Sequence, residues 1–288
     1  MEAATVLNRD KADRTAVEKA LRAAGIEGPI EMVEGSRITV HVTALLEQGA
    51  KRIIVGGGDG SVGAAAQVLA GTDAALGILP LGTLNHFARD LGIPFDLAKA
   101  AALIADGHVR AVDVAEVNGR VFVNNSAIGL YPLMVVDRES QQHRLGRSKR
   151  LAMLVASLRT LWRFDDHRLT LTSEEARSGV DTPLLFVGNN DYKLALPAAG
   201  RRAALDDGKL CVLVMRKKGV AGFLAATFRA LIGRARPDDM VRMDAITRLR
   251  VDSGRHVLTI SVDGETCRLN PPLDYRIRPS ALRVIAGA

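Results

Sequence analysis

One stretch constrains this chain more than any other. From Ile53 to Ala66 it reads IIVGGGDGSVGAAA, in which β-branched residues run into three consecutive glycines, an acid, a further glycine and a serine, and then an alanine-rich segment. Residues 53–55 carry the signature of a buried strand, and Val62 to Leu69 read as helix, so the glycines occupy a strand-to-helix joint. Without a Cβ the backbone there can turn with positive φ, and another body can approach it closely. The free N–H groups and dipole of a helix N-terminus favour an anion, which makes a phosphate the natural guest. A tight turn with no ligand would use the same glycines.

At 288 residues the chain can hold one large domain or two ordinary ones. It is 48% hydrophobic and 25% charged, as soluble globular proteins are. Lys and Arg outnumber Asp and Glu by 39 to 32, and the resulting +7 suits an anionic partner: nucleotide, nucleic acid or membrane surface. Aromatic residues are only 4%, which counts against nucleic acid, because single-strand binders stack bases on aromatic platforms. Cys211 and Cys267 lie in apolar strand-like runs and read as buried free thiols. The opening MEAATVLNRD lacks the pattern of a secretory signal, and no apolar run reaches the length of a membrane span, so a cytoplasmic chain is expected.

The first third alternates helix-like and strand-like segments: helix from Ala12 to Ala24, strand from Ile30 to Val33, helix from Ile38 to Gln48, the glycine joint, strand from Ala74 to Leu79, helix from Thr83 to Leu91, and a helix from Leu97 to Ala105 capped by Asp96. Such alternation predicts a parallel sheet with helices on its faces. From about residue 110 the pattern changes to short strand-like runs with Asn118-Gly119, Ser253-Gly254 and Asp263-Gly264 at turns, which predicts an antiparallel sandwich or barrel. Domains of 1–110 and 111–288 follow, with the last residues free to return to the first. Two amphipathic stretches interrupt the β region. One places Leu151, Leu154, Val155, Leu158 and Leu161 among Arg147, Lys149, Arg150, Arg159 and Arg163; the other places Phe223, Leu224, Thr227, Phe228 and Leu231 beside Arg229, Arg234 and Arg236. Packing into the core is the default for both stripes, with membrane contact as the alternative, and for the first stripe Arg147, Lys149 and Arg150 would meet anionic headgroups.

The glycine spacing at Gly58, Gly60 and Gly63 fits a dinucleotide fingerprint, but the acid that should follow the next strand is replaced by Pro80-Leu81-Gly82. A P-loop is excluded because no Gly-Lys-Ser/Thr follows. What remains is a glycine cradle carrying its own carboxylate, Asp59, which would repel a triphosphate unless Mg²⁺ or a hydroxyl proton stood between them. A second joint, ILPLGTLNHFARDLGIP, offers Thr83 as a cap or phosphate contact and Asn85 as a neutral amide. In a parallel sheet both joints open at the C-terminal edge, where ligands bind.

GGGDGS followed by LPLGTLNHFARDLGIP resembles the catalytic domain of the diacylglycerol kinase family, which includes sphingosine kinases and bacterial lipid kinases. VFVNNSAIGL, LGRSKRLAMLVASLR, LDDGKLCVLV, ISVDGE and ALRVIAGA extend the likeness over nearly the whole chain. The resemblance implies a three-layer α/β domain followed by a C-terminal β-sandwich, and transfer of the γ-phosphate of ATP to a hydroxyl of a diacylglycerol-like or other membrane lipid. Two departures stand out: the family opens on a strand and an Asn-Pro-x-Ser-Gly loop, where this chain has Asn8 without the proline or glycine, and Ser61 replaces a common Thr.

The resemblance also implies roles. Glu265 of VDGE matches the proposed base, with Asp59 as Mg²⁺ ligand or partner in proton removal, and Asp263 able to assist. Gly57, Gly58, Asp59, Gly60, Ser61, Val62, Gly63, Thr83 and Asn85 form the nucleotide site. AALDDGKL matches a structural Mg²⁺ loop in which Asp207 supplies the carboxylate and Ala204 and Lys209 supply carbonyl oxygens. The expected partners are a lipid substrate and an anionic membrane surface touched peripherally, with no nucleic acid; the oligomeric state stays open, a homodimer being one option. An NAD kinase-like enzyme shares the glycine-Asp-glycine segment and is disfavoured by PLGTLNHFARDLGIP. A non-catalytic nucleotide- or lipid-binding module is the other alternative.

Overall fold

The computed structural model describes residues 3–129, 166–194, 200–202, 204–217 and 219–287. They belong to two compact units, one comprising Met1–Val114, Arg120–Asn124 and Arg278–Ala288, the other Ala115–Gly119 and Asn125–Ile277.

The first unit is built on a parallel sheet. Strands β1 (Ala3–Asn8), β2 (Ile30–Val33), β3 (Arg52–Gly57) and β4 (Ala75–Pro80) lie in the order β2-β1-β3-β4, all parallel. Beside β4 runs the end of β16 (Leu273–Ala286), in parallel register through Arg283 opposite Ala75 and Val284 opposite Leu76. The last residues thus return to the first unit. Ile53, Ile54, Val55, Leu76, Ile78 and Leu79 are all fully buried, as strands covered on both faces must be. The helices are α1 (Arg14–Ala23), α2 (Ile38–Glu47), α3 (Asp59–Leu69), α4 (His86–Asp90) and α5 (Leu97–Asp106). Asp13 and Asp96 cap α1 and α5, accepting from Ala16 N at 3.2 Å and Lys99 N at 2.9 Å.

Two elements here differ from the sequence expectation. β1 is central, yet AATVLN is too short and alanine-rich to stand out by pattern. The helix expected from Thr83 begins only at His86, because Asn85 takes the left-handed conformation (φ 48°, ψ 50°), which ends any helix running into it. β5 (His108–Val117) and β6 (Arg120–Phe122) form the hairpin read at Asn118-Gly119, whose φ values of 47° and 80° suit a two-residue turn. Val121 N of β6 donates to Gln67 Oε1 of α3 at 2.8 Å.

The second unit is an antiparallel sandwich. One sheet runs β12-β11-β10-β7-β14-β15, from β7 (Asn125–Gly129), β10 (Leu184–Asn189), β11 (Leu210–Met215), β12 (Met240–Ile246), β14 (Leu258–Val262) and β15 (Glu265–Leu269). The other pairs the start of β16 with β13 (Arg248–Ser253), then β8 (His167–Thr172) and β9 (Arg177–Thr182). Alternate residues Leu169, Leu171, Leu249, Val251, Leu273 and Tyr275 are buried on one sheet, and Ile128, Leu185, Val187, Val212 and Ile260 on the other. The Tyr275 hydroxyl meets Ser126 Oγ at 3.1 Å and ties the two layers, while burial pushes its phenol pKa up. β9 and β12 escaped the sequence reading because edge strands need no alternating buried face. Cys211 is buried and Cys267 half-buried, both free thiols.

Helix α6 (Val220–Leu231) corrects one expectation. Its stripe was assigned to the core, yet Leu224 and Phe228 stand in solvent while Ala226 and Ala230 are buried. The comparable stripe around Leu151 to Leu161, with Arg147, Lys149 and Arg150, lies outside the described residues. No helix among the described residues is long and apolar enough to cross a membrane.

Candidate active site

In the first unit the C-terminal ends of β1, β3 and β4 lie side by side and deliver three loops to one edge. Asn8 ends β1, and its Nδ2 donates to Ser61 Oγ at 3.1 Å while its Oδ1 accepts from Asp10 N at 3.0 Å. One side chain therefore sets its own turn and reaches the first turn of α3. The sequence sets Asn8 where the family carries its Asn-Pro-x-Ser-Gly loop, and the structure places it at the end of β1 within reach of Ser61.

The glycines serve close approach, and no left-handed turn occurs at Gly56, Gly57 or Gly58. Gly58 is extended at φ −96° and ψ −170°. A Cβ on Gly57 would overlap the Ser61 side chain, and one on Gly82 would overlap Gly58 Cα and Asn85 Oδ1. Leu81 N also donates to Gly57 O at 2.9 Å, so the joints after β3 and β4 are laced together.

Helix α3 starts with an open end. Its first internal bond is Val62 N to Gly58 O at 3.1 Å, and Gly58 has no side chain with which to cap it. The N–H groups of Asp59, Gly60 and Ser61 thus have no acceptor within the helix, whereas α1 and α5 carry aspartate caps. Asp59 turns away from its own helix and accepts Phe87 N, in the first turn of α4, at 3.3 Å. Val62 is buried in the first unit's core, and Gly60 and Gly63 are half-buried in α3.

Thr83 and Leu84 are exposed between the joint and α4. Thr83 caps no helix, a correction that follows from the late start of α4; Asn85 holds the cap position. Asn85, read from sequence as an amide for the nucleotide, is buried and faces its own loop: it donates to Pro80 O at 3.2 Å and Gly82 O at 2.9 Å and accepts from Gly82 N at 3.0 Å. It holds the loop in shape.

In the second unit Asp263 and Gly264, at φ 48° and 82°, form the turn between β14 and β15. Asp263 Oδ1 accepts Asn125 N at 3.1 Å and Asp263 N donates to Asn125 O at 2.9 Å, so this carboxylate holds the start of β7. Glu265, next after the turn, is exposed at the head of β15. Of the two acids in VDGE, the structure gives one to the backbone and turns the other outward.

Ala204, Asp207 and Lys209 lie in the loop entering β11, with Asp207 exposed and Gly208 at φ 67°. The Lys209 carbonyl accepts Asn190 N at 3.1 Å, and its ammonium lies 3.6 Å from Asp191, which also pairs with Arg242. Asn190 is fully buried, and neither atom of its amide meets a hydrogen-bond partner among the described residues. A carboxylate, backbone carbonyls and a buried amide without a partner are the hard-oxygen chemistry that Mg²⁺ takes, so the loop fits such an ion. Among the described residues no cluster of three or more His, Cys, Asp or Glu could hold a metal by side chains alone.

Residues 7–117 match the diacylglycerol kinase catalytic domain, and residues 134–286 the YegS C-terminal NAD kinase beta sandwich-like domain. A "probable lipid kinase YegS-like" of Pseudomonas syringae pv. tomato is 32% identical over 248 residues, covering 84% of this chain and 78% of that protein. A diacylglycerol kinase of Bacillus subtilis is 27% identical over 217 residues, 77% of this chain and 71% of its own length. A crystal structure of a diacylglycerol kinase from Bacillus anthracis superposes with a TM-score of 0.73 at 21% identity, covering 99% of this chain and 97% of that one. Yeast NADH kinase in complex with NADH shares the fold at a TM-score of 0.52 and 9% identity, over 100% of this chain and 84% of its own.

Proposed function

Because this chain belongs to the diacylglycerol kinase catalytic domain family, and to its lipid kinase-like bacterial members, we propose that it transfers the γ-phosphate of ATP to the hydroxyl of a diacylglycerol-like membrane lipid. The observation that carries this reading is the uncapped N-terminus of α3, set against two interlocked glycine loops with the Asp59 carboxylate at its head. Three backbone N–H groups aimed outward suit a chain of phosphates.

Phosphoryl transfer asks mainly for positioning and charge neutralisation. The α3 N–H groups hold the phosphates, and the loop shaped by Asn85 closes over them. The lipid hydroxyl oxygen bonds to the γ-phosphorus, the bond from that phosphorus to the bridging oxygen breaks, and ADP leaves with the electron pair. The proton from the hydroxyl passes to the Glu265 carboxylate, the acid that the likeness of VDGE to the family's segment marks as the base. Mg²⁺, when bound, would neutralise phosphate charge; Asp59 is the group to hold it beside the phosphates, and Asp207 with the Ala204 and Lys209 carbonyls the group to hold a structural ion.

The test is transfer of labelled γ-phosphate from ATP to detergent-dispersed diacylglycerol, with NAD offered as the competing acceptor. Label in phosphatidic acid is expected; label in NADP, or in neither, overturns the reading. Gly60→Val places a branched side chain at the phosphate-facing turn, so the rise in melting temperature that ATP gives the parent should vanish.

A further inference from the structure

Helix α6 presents a surface that the transfer chemistry does not use. Leu224, Phe228 and Ile232 are 49%, 63% and 45% exposed, and at four-residue spacing they form one ridge along the helix. From Arg216 to Asp239 the sequence holds Arg216, Lys217, Lys218, Arg229, Arg234 and Arg236 against two acids, the exposed Asp238 and the buried Asp239. Arg229 is neutralised by Asp239, which is fully buried and whose carboxyl this guanidinium holds down to about 2. Asp239 also accepts Arg236 N at 3.2 Å, and Arg234 N donates to Arg229 O at 2.7 Å, so the basic loop is fastened to the end of the helix. Arg216, Arg234 and Arg236 remain exposed.

We infer that α6 and the loop after it dock this chain on an anionic lipid bilayer, with the Leu224, Phe228 and Ile232 ridge entering the headgroup region and the arginines meeting lipid phosphates. An apolar ridge rimmed by cations in excess, Arg216, Arg234 and Arg236 against the exposed Asp238, is the composition of an interfacial helix. A second copy fits poorly, since a symmetric contact would set this net-cationic surface against itself. The inference rests on the lipid-kinase reading in that such a substrate must be met at a membrane.

The full chain is sedimented with vesicles of phosphatidylcholine alone and of phosphatidylcholine mixed with phosphatidylglycerol. The parent should prefer the anionic vesicles. Arg234→Gln with Arg236→Gln should weaken that binding about fivefold per charge at low salt, and Leu224→Ser, Phe228→Ser and Ile232→Ser together by about 30-fold or more. All these positions are solvent-facing, so the fold should survive. Phe228→Trp alone gives an independent reading: its emission, over the Trp162 background, should shift to the blue with anionic vesicles. Undiminished binding by the triple variant, or an unshifted emission, overturns the inference, as does a parent dimer that the triple variant abolishes. Normal transfer to detergent-dispersed lipid by both multiple variants supports it. A blue shift in a protein that phosphorylates no lipid upholds the docking surface and removes the function assigned above.

Discussion

Gly58 and Gly82 meet back to back: a Cβ on Gly58 would stand 3.3 Å from Gly82 Cα, and a Cβ on Gly82 would overlap Gly58 outright. The two loops that frame the open end of α3 are therefore locked at backbone level. Gly82→Ala should cost about 1–3 kcal/mol of stability through overpacking, readable as a lowered urea midpoint, and should weaken ATP binding with it. Gly179, where an added Cβ meets nothing and the backbone is not left-handed, is the space control.

Asp59 accepts Phe87 N–H and, in the proposed reaction, carries charge beside the phosphates, and one substitution separates the two. Asn at this position still offers an oxygen to Phe87 N–H, so stability should change by less than about 1 kcal/mol. The charge is gone, and transfer should fall about 10²-fold or more. Melting curves and steady-state kinetics on Asp59→Asn read the two effects; near-normal kinetics would leave Asp59 a purely structural acceptor.

Glu265 is exposed at the head of β15, next to the turn where Asp263 holds the start of β7. Glu265→Gln should lower kcat roughly 10²-fold while melting temperature and ATP affinity hold. Asp263→Asn tests the contrast: it should disturb the β7 start and stability before chemistry.

The loop carrying Asp207 should respond to Mg²⁺. Added ion should raise the parent's melting temperature by mass action, and Asp207→Asn should cancel the rise. A rise that persists in the variant would send the ion elsewhere.

Asp239 predicts an acid limit. Its folded pKa lies near 2, against an ordinary value of 3.8, because of the hydrogen-bonded Arg229 guanidinium. A depressed carboxylate contributes stability above its unfolded pKa and loses it as pH falls through the folded one. The melting-temperature advantage of the parent over Asp239→Asn should be full at pH 5 and shrink steadily from about pH 4 down to pH 2.

Local chemistry wrote much of this molecule into its sequence. Ile30–Val33 is a strand at the residues where its pattern placed it, Asp96 caps α5, and Asn118-Gly119 turns its hairpin, because each depends on neighbours within a few positions. The strand-to-helix joint at Gly57 to Ser61 and the change from parallel to antiparallel pairing were legible for the same reason. Partnership across the fold was not. Whether Asn85 faces a ligand or its own loop depends on Pro80 and Gly82 carbonyls that only the folded joint brings within reach. Asp263 and Glu265, two residues apart, part ways because the start of β7 lies beside one of them. In α6, apolar residues line the helix almost all round, so no polar face marks which side goes in; only the fold shows Ala226 and Ala230 buried and Leu224 and Phe228 outside. Sequence determined the elements and the chemistry available, and tertiary packing decided which of those groups were left over to act.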